Sequence, residues 1–521
     1  MQRIFLIIAF VFGITCNVVS QTVVTISDTQ TWTNSQLSQY VGKTIRFTTP
    51  FYVTNNYGSN LTISPRRIFT PTNQEYPMSQ EYNNLIRANS NGTITLTGVS
   101  DYHRINERLL DLTVKVNSQT SVSLVSCNWS GNTRADLENG YDKDAVSIRG
   151  TPSLIVCTMN LEYYLVENLG TGYGPDSKAE HQKQRAKVSQ ALATINADVY
   201  GFVEIEQGQS ALKEIAADLT ANTGRHFAHI DDGGSAYGSY TKAGFVYCSE
   251  KVRPYGKLRE NNTGVTNRKK TQAFEEISTG ERFLFSVNHF KAKSGKGSGD
   301  NADQNDGQGT YNGDRKREAQ SVLSNYKNDC VFFNDSDLLV MGDLNAYAME
   351  DPITILRDGG MIDLHRAFHA DSSYSYVYRG YLGYLDHALS NSTLYPQVTG
   401  MVAYHINSDE SDSYTYDKSS DATMFRSSDH DPIIVGLRLD STRTSDLQVS
   451  INSYEVYYYG ETPYICNAQG GYYCVYRLDG NIVKQANITT QEEAIDGLAQ
   501  GLYILNIYGQ GKCLQTKLLI H

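Results

Sequence analysis

Six short runs between residues 151 and 440 limit what this 521-residue chain can fold into. They read "SLIVCTMNL", "DVYGFVEIE", "AGFVYCS", "FLFSVNHF", "DLLVMGDLN" and "PIIVGLRL", dense in branched and aromatic residues. Runs of this length and composition are buried strands. Between the first two lies "AEHQKQRAKVSQALATINA", where Val188, Ala191, Leu192 and Ile195 share one helical face. Strands alternating with helices predict an α/β (α+β) layered domain over 151–440, and about 290 residues suffice for a substantial core.

The flanks have another texture. Residues 22–150 show alternating runs, "KTIRFTTPFYV", "GTITLTGV", "LLDLTVKV" and "SVSLVSC", separated by turn residues and with little helical periodicity. Two readings fit: a small barrel of the oligonucleotide-binding type, or a β-sandwich spacer. Beyond "STRTSD", residues 442–521 are again β-like, with a hairpin expected at Asp479-Gly480 and a β-sandwich as the unit. The first twenty residues carry Arg3, an apolar run from Ile4 to Ile14 and then small residues, the pattern of a cleaved secretory signal. No later stretch is long and apolar enough to cross a bilayer, so a soluble exported protein is expected.

Eight cysteines are present, and seven remain once Cys16 leaves with the signal. An odd, scattered set is no disulfide framework, although Cys466 and Cys474 are close enough in sequence to pair. The absence of Cys-x-x-Cys argues against structural zinc. A net charge of −11 excludes binding to nucleic acid by bulk charge, but not catalysis on a polyanion through a bound metal.

Polar residues recur where the buried runs end. Asn160 closes the first, Glu204 the second and His289 the fourth; Asp343 and Asn345 close the fifth, two apart and so on one face. Asp386 stands in "GYLDHAL", and "SSDHDP" places Asp429 and His430 side by side before the last run. Neighbours in an extended segment point to opposite faces, so these two side chains address different things. Taken singly, "GDLN" is a turn, "EIE" an exposed edge and "SSDHDP" a soluble loop. Together, at strand ends of one sheet edge, they make a site. Carboxylates and amides are hard oxygen ligands for Mg²⁺, with Mn²⁺ and Ca²⁺ as alternatives, and two histidines supply general acid and base. Phosphoryl-type transfer fits that set.

The order Asn160, Glu204, His289, "MGDLN", "LDH", "SDHDP" resembles the endonuclease/exonuclease/phosphatase family, which includes deoxyribonuclease I. "VNHFKAKSG", "DNADQNDGQGTYNGDRKREAQ" and "GYLDHALS" resemble more narrowly its bacterial extracellular nuclease branch. The resemblance spans about 153–439 and implies a four-layer α/β/β/α sandwich. It implies Glu204 as main metal ligand, with Asn160, Asp343, Asn345 and Asp429 around the ion. It makes His430, held by Asp386, the group that orients or deprotonates water, and His289 the group on the scissile phosphate. Classical members carry a carboxylate where "SYTKAGFVY" offers Thr241 and Lys242. Lys242, Arg268, Lys291 and Lys293 are candidates to grip flanking phosphates, joined by Lys269, Lys270 and Lys296 and, more distantly, by Arg315 and Arg317.

"VYRLDGNIV", "LAQGLYILNIYG" and "KCLQTKLLIH" resemble the C-terminal sorting domain of type IX secretion, which implies outer-membrane secretion machinery as a partner. The expectation is therefore a secreted or surface-held monomer, a metal-dependent nuclease acting on DNA, or RNA, with little sequence preference. The rivals are a phosphoesterase of the same fold acting on phospholipid, inositol phosphate or small phosphoesters, and a surface-binding protein with an inactive core.

Overall fold

The computed structural model describes residues 23–439 and 455–520, apart from 28–32, 57–59, 91, 234–239, 261–268, 460–461, 467, 478–480, 491 and 510–511. The apolar run after Arg3, Arg268 and the Asp479-Gly480 turn lie outside the described residues. The chain divides into two compact units, Met1–Ser441 and Thr442–His521.

The first unit begins with a closed barrel. Strands Thr44–Phe47 and Phe51–Asn55 both pair with Arg108–Val116. Phe51–Asn55 also pairs with Leu61–Ser64, which pairs with Ile94–Thr97. Ile94–Thr97 runs parallel to Ser121–Ser130, and that strand returns to Arg108–Val116. The ring is closed, with Phe47, Phe51, Val53, Ile63, Leu96, Leu109 and Val114 inside. Of the two sequence readings, the small Greek-key barrel is the one the pairings produce. Helix Gln80–Ser90 was not anticipated: of its eleven residues only Tyr82 and Asn89 are buried, and its apolar positions Tyr82, Leu85 and Ile86 are too few to stand out.

All six buried runs are strands of two six-stranded sheets. The first sheet runs, in spatial order, Phe227–His229, Thr241–Cys248, Val199–Glu206, Leu154–Tyr164, Ile433–Leu437, Val398–Ala403. The second runs Val252–Glu260, Lys269–Glu276, Arg282–Asn288, Leu338–Asp343, Asp386–Ser390, Ile362–Asp363. Their inner faces share one core, where Val156, Val203 and Phe245 meet Phe274, Phe285, Val287 and Met341. Helices Lys178–Ile195 and Ser210–Thr223 cover the outer face of the first sheet, and Asn312–Phe333 and Asp351–Asp358 that of the second. This is the four-layer sandwich the sequence implied. The six strands that carry these runs are buried on both faces, which is why the runs are continuous rather than alternating.

Barrel and sandwich are joined by buried charge. Glu410, fully buried, takes Arg104 Nε at 2.6 Å and Arg134 Nη2 at 2.6 Å. Beside it Asp409 accepts from Asn106, Asn132 and the Tyr374 hydroxyl at 3.1, 2.7 and 2.8 Å.

The second unit has a three-stranded and a four-stranded antiparallel sheet around Ile465, Tyr473, Val475, Leu505, Ile507 and Leu518. Cys474 is a free buried thiol, and the side chain of Cys466, the partner suggested by spacing, lies outside the described ones. Among the described residues no helix is long and apolar enough to cross a membrane.

Candidate active site

The ends of parallel neighbours Leu154–Tyr164 and Val199–Glu206 bring Asn160 beside Val203 and Glu204. The first strand then bulges: Glu162 and Tyr163 are left-handed at φ +51° and +55°, and Glu204 at +57°. Such backbone is costly for residues with side chains and marks a place where position outweighs comfort. It lets the Tyr163 amide donate to Glu204 Oε2 at 3.2 Å and the Glu162 amide to Asn160 Oδ1 at 2.9 Å.

The second sheet supplies the opposite wall. Asp343 is the last residue of Leu338–Asp343, and Gly342 before it has φ +129°. A Cβ there would stand 2.0 Å from the Asn288 carbonyl oxygen, so "MGD" requires its glycine to seat the acid beside His289. Asp343 accepts the Asn345 amide at 2.9 Å through Oδ1 and Asn160 Nδ2 at 3.1 Å through Oδ2. Asn345 Nδ2 donates to the Phe290 carbonyl at 3.1 Å.

Both histidines aim Nε2 at this acid. His289 Nε2 lies 3.6 Å from Asp343 Oδ2 and 3.7 Å from Glu204 Oε1. His430 Nε2 lies 4.0 Å from Asp343 Oδ2 and 3.9 Å from Asp429 Oδ2. His430 Nδ1–H donates to Asp386 Oδ2 at 2.7 Å, and the Ser375 hydroxyl donates to the same oxygen at 2.7 Å. Tyr376 stacks on the His430 ring at 4.6 Å, and Asn407 Nδ2 donates to the His430 carbonyl at 2.7 Å. The imidazole is thus fixed at Nδ1 and on one face, with Nε2 left facing the cleft. The cleft is about 380 Å³ and is walled by Asn160, Glu162, Glu204, His289, Asp343, Asn345, Asp429 and His430 together with tyrosines 163, 173 and 416.

The electrostatics follow from so many acids in one place. Burial first, then Asp386, pushes the Asp343 carboxyl up to about 7, against the pull of His430. Burial and then Asp429 push Glu162 up to about 8. Burial alone would lower His430, but Asp386, Asp429 and Asp343 raise it well above an ordinary imidazole. The cleft is short of positive charge.

Asp343, Asp386 and His430 present ligand atoms within 4.8 Å of one another, which on distance alone suggests a chelate. The hydrogen bonds argue otherwise, because Asp386 is committed to His430 and Ser375. The donor set that suits a hard divalent cation is Glu204, Asp343, Asn160, Asn345 and Asp429: all oxygen, no thiolate, and in need of compensating charge.

All eight acids, amides and histidines expected from strand ends therefore meet, counting Asp386 behind His430. The cations do not. Lys242 is buried and donates to both oxygens of Asp232 at 2.9 and 2.8 Å; Lys270 pairs with the same carboxylate and with Glu260 at 3.1 Å. Lys293 lies 2.6 Å from both oxygens of Glu350. Neither Lys242 nor Lys293 walls the cleft: each answers an acid of its own protein rather than a phosphate. Lys291 lies over the Tyr311 ring at 4.7 Å. Arg315 donates to the carbonyls of Lys291, Thr310 and Gln308, and Arg317 pairs with Asp300 and Asp314. Sequence reasoning missed Glu162, Ser375 and Tyr376. Glu162 stands two residues after Asn160, and a strand interrupted by an acid was its one signal; "SYSYVY" gives none.

Residues 165–430 match the model of the endonuclease/exonuclease/phosphatase family. The chain belongs to that family. Its members are phosphodiesterases and phosphatases, generally dependent on divalent metal. Among solved structures, the human nocturnin catalytic domain with bound sulfate is 13% identical over 55% of this chain and 94% of its own, with a TM-score of 0.36. A Bacteroides thetaiotaomicron mannosyl-6-phosphatase is 16% identical over 55% and 100%, with a TM-score of 0.35. D. rerio TDP2 complexed with single strand DNA product is 14% identical over 55% and 98%, with a TM-score of 0.36. A search of curated proteins gave no match. The family match begins after Asn160, Glu162 and Tyr163 and ends on His430, so it takes in most of the cleft but not the barrel.

Proposed function

We propose that this chain is an exported, divalent-metal-dependent nuclease that hydrolyses phosphodiester bonds of DNA, and secondarily RNA, with little sequence preference. The observation that carries this reading is the pair of imidazoles facing one buried acid from two sides, His430 backed by Asp386 and His289 beside Glu204. Glu204 and Asp343, with Asn160, Asn345 and Asp429 around them, would hold a divalent cation, which would supply charge to neutralise phosphate oxygens.

The residues perform the rest. Asp386 fixes the His430 tautomer and stabilises the imidazolium; with a cation among the acids that raise it, Nε2 would be free to take a water proton. As the water oxygen bonds to phosphorus, that proton passes to His430. The opposite P–O bond breaks, and His289 is placed to bind the phosphate and protonate the leaving oxygen. The groups come from both sheets, and holding the water and the phosphate between them would make attack effectively intramolecular. Export rests on the run after Arg3, and delivery through outer-membrane machinery on the tail motifs; we take the protein to act as a monomer.

The test is the chain without residues 1–20, incubated with closed circular plasmid in Mg²⁺, Mn²⁺ or Ca²⁺, beside EDTA and a His430→Ala variant. Nicking and linearisation that need metal and vanish in the variant support the reading. A plasmid intact in every metal overturns the nucleic-acid substrate and moves the search to phosphomonoesters, inositol phosphates and lipids.

A further inference from the structure

The hydrolysis just described leaves one feature of the cleft unused, its row of tyrosines. Tyr163, on the bulge beside Glu204, stacks on Tyr173 with centroids 5.0 Å apart and planes 23° from parallel. Tyr240 continues the row, 6.5 Å from Tyr173 at 41°. The row starts at the cleft wall and leads into solvent, with Tyr173 53% and Tyr240 43% exposed.

The loop is built to hold Tyr173 there. Gly172 and Gly174 flank it at φ +81° and +64°. A Cβ on Gly174 would come within 2.4 Å of the Tyr163 carbonyl oxygen, so the loop lies against the backbone of the ring it stacks on. The Thr171 hydroxyl donates to the Tyr173 carbonyl at 3.2 Å, and the Gly170 amide to the Pro175 carbonyl at 3.2 Å. Backbone so constrained, ending in a ring turned to water beside the acids, presents a surface rather than fills a core.

We propose that Tyr163, Tyr173 and Tyr240 form a stacking platform for unpaired bases, which makes single-stranded nucleic acid the preferred substrate of this cleft. The proposal rests on the nuclease reading above. In a duplex each base face is covered by its neighbours, whereas a single strand offers open faces, and stacking tolerates any base. The platform also answers a shortage: Lys242, Lys270 and Lys293 pair with acids of the protein, and the net charge is −11, so phosphate contacts alone give weak attraction.

The experiment uses the chain lacking residues 1–20, in Mg²⁺, with a single-stranded oligonucleotide, its matched duplex and bis(4-nitrophenyl) phosphate. The wild type is expected to show the higher kcat/KM on the single strand. Tyr173→Ala and Tyr240→Ala are each expected to raise the single-strand KM about tenfold, with a smaller change in kcat. Tyr173→Phe and Tyr240→Phe keep the ring and are expected to keep the preference, which separates stacking from folding. Cleavage of both nucleic acids with a single-strand KM indifferent to both alanine changes overturns the platform alone. Hydrolysis of the aryl diester with neither nucleic acid cut overturns the nuclease reading and the platform with it.

Discussion

Two buried acids of the same domain have opposite fates. Asp343 is raised to about 7 by burial and by Asp386, while Asp232, also buried, is lowered to about 2 because Lys270 and Lys242 outweigh the cost of burial. Around Asp232 the cations sit at bonding distance, and both lysines accept the cost of burial to do so. Around Asp343 the nearest imidazole nitrogens stand off at 3.6 and 4.0 Å. Asp232 is a closed account of charge and behaves as structure. The cleft is left open at considerable energetic cost, and a fold keeps such a cost where a charged ligand will answer it.

The sharpest way to break the contrast is to remove the base. His430→Ala is expected to lower the turnover number by about 10²- to 10⁴-fold while leaving the thermal midpoint near that of the wild type. Normal turnover in that variant would reduce the dyad to packing. Next comes Glu350→Ala, which strands the Lys293 ammonium among Arg315, Gln308 and the barrel residue Thr72. A stability loss of about 3 to 5 kcal/mol in urea titration is expected. A loss near zero would mean that Lys293 has another answer and remains available to phosphate.

The pH dependence of Asp232 sharpens the comparison further. Its folded value lies below the unfolded one of about 3.9, so the pair stabilises the fold above that pH and loses its contribution as the pH falls towards 2. Asp232→Asn is expected to cost about 2 kcal/mol at pH 6, and the gap to wild type is expected to narrow between pH 4 and about 2. A gap constant over that range would show that the lysines are held by something else. The smallest effect is expected from Arg317→Ala, an exposed arginine paired with the exposed Asp300 and with Asp314 three residues back on its own helix: a shift in the unfolding midpoint near zero.

These same residues show why reading the sequence succeeded in part. Asn160, Glu204, His289 and Asp343 each close an apolar run and Asp429 stands just before one, and the two sheets that these runs form bring those ends together as facing walls. Local pattern thus carried both sheets and most of the cleft. Lys242 and Lys293 look alike in sequence, basic residues near strand ends, yet their roles depend on Asp232 and Glu350, which no periodicity connects to them. Glu162 depends on a bulge, and Tyr376 on a short hairpin with Tyr381–Gly383 folding over His430. Closure of the barrel depends on strands Ile94–Thr97 and Ser121–Ser130 running parallel, which neither segment announces.

The joint at Asp409 and Glu410 bears on where this gene can be cut. Asn106 and Asn132 of the barrel segment hold Asp409, Asp409 holds the Tyr374 hydroxyl, and the next residue, Ser375, holds Asp386. A fragment trimmed to the family-matched residues would keep Glu204, His289, Asp343, Asp386 and His430 but lose Asn160 and the anchors that set the posture of the dyad. The barrel is therefore no detachable passenger: a shuffled or shortened version of this enzyme has to carry it, or rebuild the floor beneath Tyr374.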